Sequence, residues 1–361
     1  MISACVKDLS ESALLQEFLP ILNVHNQQVA QNVKHHRFDA SMTVGPGDDC
    51  AVFALGNKPT VISTDTQTEN QDFRTHWLSG LLSCGYDVGW KAAAQNLADI
   101  AAIGAVPVTL VVSLSLPPQT PASWVSDFAR GITESCVAHE ANFCTISGGD
   151  LGASAELSVT VTAMGQCVAQ PVLRSGAQVG DVVAVAGALG TAAAGFELLE
   201  KSPTDQGKPS DFSSLIAAQQ RPLAAVQAGI GAATVAHSMM DISDGLVKDA
   251  QRLADASAVS INIDSALLES AAAPLFPVAQ HVLEGAADDA RVRAQAMQWV
   301  LTGGENHGML ATFAAYQPLP PHFFAVGTCK ERTEHSVTVD GNAPTANGWD
   351  HFGKAEQRPL G

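Results

Sequence analysis

The aspartates of this chain recur in short motifs rich in Gly, Ser and Thr, at turns and at the ends of apolar runs. Asp48 and Asp49 lie in Gly45-Pro46-Gly47-Asp48-Asp49, and Asp65 lies in Ser63-Thr64-Asp65-Thr66. Asp150 follows Gly148-Gly149, and Asp241 and Asp244 bracket Ser243 in Asp241-Ile242-Ser243-Asp244-Gly245. Asp99 differs: it interrupts an apolar stretch three residues after Asn96, a spacing that sets both side chains on one helical face. A carboxylate among Ala, Leu and Ile costs free energy unless it is paired or bound to a metal. Taken singly, the other motifs read equally well as turns, and Ser243 with Asp244 suits the start of a helix. Taken together they point to metal chemistry. Clustered carboxylates repel, and a hard divalent cation relieves the repulsion. Mg²⁺ takes one or two carboxylates and completes its shell with water and substrate phosphates, so the pattern suggests Mg²⁺-bridged nucleotide phosphates.

Other chemistries leave no mark. The sequence has no GxxxxGK[ST] loop, no HRD and DFG pair, no GxSxG and no HExxH. Arg174, in Leu173-Arg174-Ser175-Gly176-Ala177, is either a bidentate phosphate clamp or a surface arginine in a turn. Lys91 and the His35-His36 pair are expected to be structural or solvated. Acidic residues outnumber Lys plus Arg by 36 to 19, for a net charge of -17, which argues against binding nucleic acid or an anionic membrane. Seven Cys without a CxxC pair give neither a disulfide framework nor a cysteine zinc site. No basic leader is evident, and the apolar stretch 91–116 is broken by Asn96, Asp99, Gly104 and Pro107. A cytoplasmic, thiol-reduced protein is expected.

The elements that must position these residues read as alternating strand and helix. Residues 1–45 form a polar arm with one short helix near Glu11 to Leu19. Ala51–Leu55 and Thr60–Thr64 read as strands around Gly56-Asn57. Tyr86–Ile103 reads as an Ala-rich helix, Val108–Leu116 as a buried strand and Pro121–His139 as a second helix. Strands follow at Phe143–Ile146 and Leu157–Ala163. The polar patch 166–180 marks a boundary that divides the chain into 1–170 and 171–361. Beyond it come strands at Val182–Ala186, Met239–Ile242, Val259–Ile263, Met309–Phe313 and Phe323–Val326, a helix from Thr191, and a long helical region at Leu267–Val300. Lys201–Ser213 is a loop. The expected class is α/β and α+β in two halves.

In this order the segments resemble the thiamine-monophosphate kinase family, whose superfamily also holds aminoimidazole ribonucleotide synthetase and selenophosphate synthetase. The matching stretches are Gly47-Asp48-Asp49, Ser63-Thr64-Asp65-Thr66, Gly89-Trp90-Lys91-Ala92 continuing through Asn96 and Asp99 to Gly104, and Gly148-Gly149-Asp150. Arg174-Ser175-Gly176-Ala177, Asp241-Ile242-Ser243-Asp244-Gly245, Leu301-Thr302-Gly303-Gly304-Glu305 and Gly348-Trp349-Asp350-His351-Phe352 complete the set. The resemblance covers nearly the whole chain. Each motif is weak alone; the ordered set is specific.

The resemblance implies a synthetase-like fold with an N-terminal α/β half that dimerises through its sheet and a C-terminal α+β half that completes the site. It implies a homodimer, ATP and several Mg²⁺ ions, and transfer of a phosphoryl group to thiamine monophosphate. Metal ligands map onto Asp49, Ser63, Thr64, Asp65, Asp99, Asp150, Asp241 and Asp244, and catalysis rests on Asp49, Asp65, Asp99 and Asp150. ATP contacts map onto Gly149, Asp150, Arg174 and Ser243, and substrate contacts onto Asp72, Glu305 and Trp349. Trp349 would stack on the cationic thiazolium ring. The chain departs from the family where His often stands (Asp72), where Gly-Gly-Glu-Asp-Tyr-Glu becomes Gly303-Gly304-Glu305-Asn306-His307-Gly308, and where an Arg often follows Gly-Gly-Asp. A sister activity making selenophosphate or another ATP-derived product is an alternative, although Cys5 lacks the Gly-rich loop of selenophosphate synthetases. A non-catalytic acidic module that binds Ca²⁺ or a protein is a third, without an EF-hand spacing to support it.

Overall fold

Helix α1 (Glu11–His36) opens the chain, and strands β1 (Ser41–Val44) and β2 (Val52–Ala54) pair antiparallel beside it. Then come β3 (Thr60–Thr68), α2 (Gly85–Ala102), β4 (Ala105–Leu116), α3 (Ala122–Ala138), β5 (Thr145–Ala153) and β6 (Ser158–Cys167). These strands form a four-stranded sheet in the order β3-β6-β4-β5, with β4 and β5 parallel and the other pairs antiparallel. The second half contains β7 (Val182–Ala186), α4 (Thr191–Leu199), α5 (Ser213–Gln220), α6 (Val226–Ala232), β8 (Ser238–Ile242), α7 (Leu246–Ser257) and β9 (Ser260–Ile263). It ends with α8 (Glu269–Ala272), α9 (Phe276–Val282), α10 (Asp289–Thr302), β10 (Gly308–Phe313), β11 (Phe323–Lys330) and β12 (Val337–Val339). Its six-stranded sheet runs β12-β9-β11-β7-β10-β8. The structure is a computed structural model and describes residues 5–9, 11–44, 52–201, 212–283, 287–345 and 348–349.

Helix α2 is central. Ala92, Ala93, Ala94, Leu97, Ala98, Ile100 and Ala101 are all buried, so the helix is apolar almost all round, as an interior helix must be. Asp87 closes its start, accepting the Cys84 N–H at 2.8 Å. Small residues let α3 approach: a Cβ at Gly85 would lie 2.0 Å from the Trp124 carbonyl oxygen, and one at Gly131 2.0 Å from that of Tyr86. On its other side α2 meets the second half, where Trp90 Nε1 donates to the Pro222 carbonyl at 2.9 Å. One helix therefore touches both halves.

Several sequence expectations are revised. The N-terminal helix is 26 residues long, where the sequence predicts a short helix near Glu11 to Leu19 in a polar arm. Its polar residues are used: Asn26 donates to the Ile146 carbonyl at 2.8 Å and accepts the Ile146 N–H at 2.9 Å, and Asn32 donates to the Asn142 carbonyl at 3.1 Å. Asn26 satisfies the edge of β5 at Ile146, which would otherwise be left unpaired, and Asn32 holds the turn ahead of that strand. The two short strands around Gly56-Asn57 do not pair with each other; β2 pairs with β1 and β3 with β6. Strand β3 runs on to Thr68, so Asp65 is inside it, and Gly148-Gly149-Asp150 is inside β5. The helical region expected at Leu267–Val300 holds α8, α9 and α10, with a 3₁₀ turn at Ala273–Leu275 between the first two, where Pro274 lacks a backbone N–H; residues 284–286 within it lie outside the described residues. Of the loop at Lys201–Ser213, residues 202–211 lie outside the described residues. No helix among the described residues is long and apolar enough to cross a membrane.

Candidate active site

A cavity of about 760 Å³ opens between the two halves, and Asp65, Asp72, Arg174, Ser243, Asp244, Glu305 and Trp349 are on its wall. Strand alternation decides which side chains of β3 face α2. Ser63 Oγ donates to Asp99 Oδ2 at 2.5 Å, and Gln67 Nε2 donates to Gln95 Oε1 at 2.7 Å. Asp65 shares that side, and its Oδ2 is buried without a hydrogen-bond partner. Burial, then the charges of Asp241 and Asp65, push the Asp99 carboxyl up to about 7. Thr64 faces the other way, with its hydroxyl donating to the Val161 carbonyl at 3.1 Å.

The C-terminal half supplies the opposite wall. Asp241 is the penultimate residue of β8, and the turn Ser243–Gly245 leads into α7. Asp249, 0% exposed, ties that turn down by accepting the N–H groups of Asp244 at 2.9 Å and Gly245 at 3.1 Å. Burial and the Asp241 charge push the Asp249 carboxyl up to about 7 despite these bonds and its pairing with Arg252. The segment after α10 runs beside the turn: Glu305 N–H donates to the Ser243 carbonyl at 2.9 Å, and His307 N–H to that of Ile242 at 3.1 Å. Glu305 (φ +67°) and His307 (φ +49°) both hold left-handed backbone, which costs free energy and persists only when the surroundings fix it. His307 Nδ1 lies 3.4 Å from Asp241 Oδ2. Burial alone would lower the His307 pKa, but the Asp241 and Glu305 carboxylates hold it above the ordinary imidazole value. Trp349 is anchored by its N–H to the Asp244 carbonyl at 3.0 Å, and its own carbonyl accepts Lys248 Nζ.

The residues singled out from sequence do not all meet. Asp65, Asp72, Arg174, Ser243, Asp244, Glu305 and Trp349 share the cavity, and Asp99 lies within electrostatic reach of both Asp65 and Asp241. Asp72 turns its carboxylate back to accept the Thr68 N–H at 2.8 Å. Asp244 is paired with Arg252 at 2.5 Å and Lys248 at 3.4 Å. Gly149 and Asp150 lie on β5, away from the cavity wall. The register pairs Asp150 with Ser113, and Ser113 with Thr160, so Asp150 shares the Thr64 side of the sheet. A Cβ at Gly149 would lie 1.7 Å from the Val112 carbonyl oxygen, which explains the glycine without invoking a ligand. Asp49 lies outside the described residues. Sequence reasoning missed Asp249; of the two readings open for Lys91, structural or solvated, the structure shows the first, since its Nζ donates to the Asp72 carbonyl at 2.9 Å and pairs with Glu305.

The donor set suits a hard cation. Asp65, Asp99 and Asp241 offer only oxygen, the charges of Asp65 and Asp241 both act against an ionised Asp99, and one Asp65 oxygen is buried with nothing to satisfy it. Among the described residues no three Asp, Glu, His or Cys side chains converge as a closed metal cage. Mg²⁺ does not require one, since it draws on substrate phosphates.

Residues 47–167 match the N-terminal domain of AIR synthase related proteins, and residues 178–311 match the C-terminal domain. Thiamine-monophosphate kinase of Mycobacterium tuberculosis (strain ATCC 25618 / H37Rv) is 36% identical over 329 residues, covering 90% of this chain and 91% of that protein. The solved structure of AaThiL complexed with AMPPCP and TMP superposes with a TM-score of 0.68 at 29% identity, covering 98% of this chain and 100% of the other. Thiamine-monophosphate kinase from Stenotrophomonas maltophilia K279a gives a TM-score of 0.68 at 28% identity over 90% of this chain and 97% of its own. Together with the ordered motifs and the cavity they line, these likenesses show that the chain belongs to the thiamine-monophosphate kinase family.

Proposed function

We propose that this chain transfers the γ-phosphoryl group of ATP to thiamine monophosphate. A phosphate oxygen of the acceptor attacks the γ-phosphorus, the bond to the β-phosphate oxygen breaks, and thiamine diphosphate and ADP leave. The observation that carries this reading is the cavity between the halves, where Asp65, Asp72, Arg174, Ser243, Glu305 and Trp349 converge from separate segments. Its counterpart in AaThiL belongs to a protein solved with AMPPCP and TMP together.

The acceptor is already anionic at neutral pH, so the site has no need of a general base. The difficulty is bringing two anions together, and the protein must position them and offset their charge. Asp65, Asp99 and Asp241 would hold Mg²⁺, with the Ser63 hydroxyl steering the Asp99 carboxylate. Asp49, Thr64, Asp150 and Asp244 are further ligand candidates from the family motif. Mg²⁺ held there would supply positive charge to offset that of the phosphates. Arg174 and Ser243, the latter at the start of α7, contact ATP; the positive end of that helix favours anions. Gly149 and Asp150 are assigned to ATP by the same motif. Asp72, Glu305 and Trp349 contact thiamine monophosphate, with the Trp349 ring suited to a cationic heterocycle.

We also propose a cytoplasmic homodimer of two-domain subunits, with the domain junction between β6 and β7. Outside the face covered by α2, the four-stranded sheet exposes Ile62 (71%) and Val111 (39%). Threonine rungs lie alongside, Thr64 to Thr162 at 3.1 Å and Thr66 to Thr160 at 2.8 Å. A second copy would cover this face. The test of function is turnover with ATP, Mg²⁺ and thiamine monophosphate, with direct detection of thiamine diphosphate. Its formation supports the reading; ATP consumption without it removes the acceptor assignment.

A further inference from the structure

We infer that Lys91 is a positioning residue for the acceptor end of the site, joining the Asp72 loop of one half to Glu305 of the other; this rests on the phosphotransfer reading above. Lys91 is 2% exposed in the mostly apolar helix α2. A buried ammonium is tolerated only when its three donors are satisfied, and here each has an acceptor from a different segment. Nζ donates to the Asp72 carbonyl at 2.9 Å and forms an ion pair with the Glu305 carboxylate. With the Gln219 amide oriented so that its nitrogen donates to the Ala192 carbonyl, its oxygen accepts from Lys91 Nζ at 3.3 Å.

The consequence is geometric. Asp72 and Glu305 are both on the cavity wall, and neither side chain is placed by a regular element. Glu305 is held in left-handed backbone by its N–H bond to Ser243, and the direction of its carboxylate is set by the pair with Lys91. Helix α2 is clamped to α3 by the close approach at Gly85 and Gly131, so it gives Lys91 a rigid base. One buried cation thus fixes the spacing of two substrate contacts that belong to opposite walls. It orients binding groups without touching the reacting phosphates.

The test uses the full-length protein as wild type, Lys91→Met, Glu305→Gln and the double variant, with kcat and KM measured for each substrate. Loss of the clamp should lower kcat/KM for thiamine monophosphate by about 100-fold, the size of effect expected from a misplacement near 1 Å. KM for ATP should stay near the wild-type value in Lys91→Met. Because Lys91 acts through Glu305, the double variant should be no worse than the more damaging single variant. Losses that multiply, or that fall equally on ATP and thiamine monophosphate, overturn the inference. If Lys91→Met does not fold, Lys91→Gln carries the same test, since it keeps a donor for the Asp72 carbonyl but no charge for Glu305. A wild type that makes no thiamine diphosphate overturns the functional reading and this inference with it. An active wild type with indifferent variants overturns the inference alone.

Discussion

Asp99 shows how a single residue carries both an energetic cost and a function. Its side chain hydrogen-bonds Ser63 and faces the charges of Asp65 and Asp241, which with burial raise its pKa to about 7 from 3.8. Between those two values the folded chain binds a proton that the unfolded chain has released. The contribution of Asp99 to stability is therefore greatest at low pH and is lost as pH rises through 7 in metal-free protein. A metal ligand must be deprotonated, so Mg²⁺ should raise the melting temperature more at about pH 8 than at about pH 5. Asp99→Asn should suppress most of that Mg²⁺-dependent difference and lower turnover by at least about 100-fold, as expected when electrostatic support for a charged transition state is lost. Near-normal turnover with a folded Asp99→Asn protein would mark the residue as structural. The cost of this carboxylate was legible in the sequence, because charge inside an Ala-Leu-Ile helix is conspicuous. Lys91 was not legible, because a lysine beside Trp and Ala reads as well on the surface as in the interior. Only the partners from Asp72 and Glu305, far away in sequence, distinguish the two.

At the scale of elements, legibility followed how local the signal was. Alanine periodicity and a glycine stop located α2 to within a residue or two, because those signals are local. Strands β3 and β5 extend past the expected ends because Asp65, Gly148 and Gly149 look like turn residues until a neighbouring strand is there to pair with them. The extent of α1 was hidden for a related reason: Asn26 and Asn32 find their partners more than a hundred residues away, at the edge of β5 and in the turn ahead of it. The close packing of α2 on α3 has a direct test. Gly131→Val places a branched side chain where the first added carbon already lies 2.0 Å from the Tyr86 carbonyl oxygen. Overpacking of this kind should cost about 1–3 kcal/mol or more, read as a lower denaturant midpoint at unchanged m-value. An unchanged midpoint would show that α3 can withdraw without loss. Because α2 carries both Lys91 and Asp99, withdrawal should also weaken acceptor binding, which links packing to the site.

At the scale of the whole molecule, the cavity exists because two sheets of different chain segments face each other across α2, and no single motif contains it. The order of the motifs made the site expected, but their separation in sequence could not show that Asp150 shares the Thr64 side of the sheet while Asp65 faces Asp99. That division gives the open face of the four-stranded sheet a specific weight. Ile62 and the threonine rungs lie on a face that, among the described residues, leaves Ile62 mostly exposed. A chain with net charge -17 resists self-association, so a dimer must gain its free energy from apolar and hydrogen-bonded contact on a face such as this one. Ile62→Lys would bury a charge at the centre of that contact if the dimer forms there. Sedimentation should then show the wild type as a dimer and the variant as a monomer at the same concentration. Ile62 is mostly solvent-exposed in the single chain, so its replacement should leave the monomer folded, and the two states can be compared directly. A variant that stays dimeric would move the interface to another surface. A monomer that still makes thiamine diphosphate would show that each subunit holds a complete site. A monomer that binds ATP but has lost turnover would mean that the groups on the open face, Asp150 among them, work only when a second copy covers them.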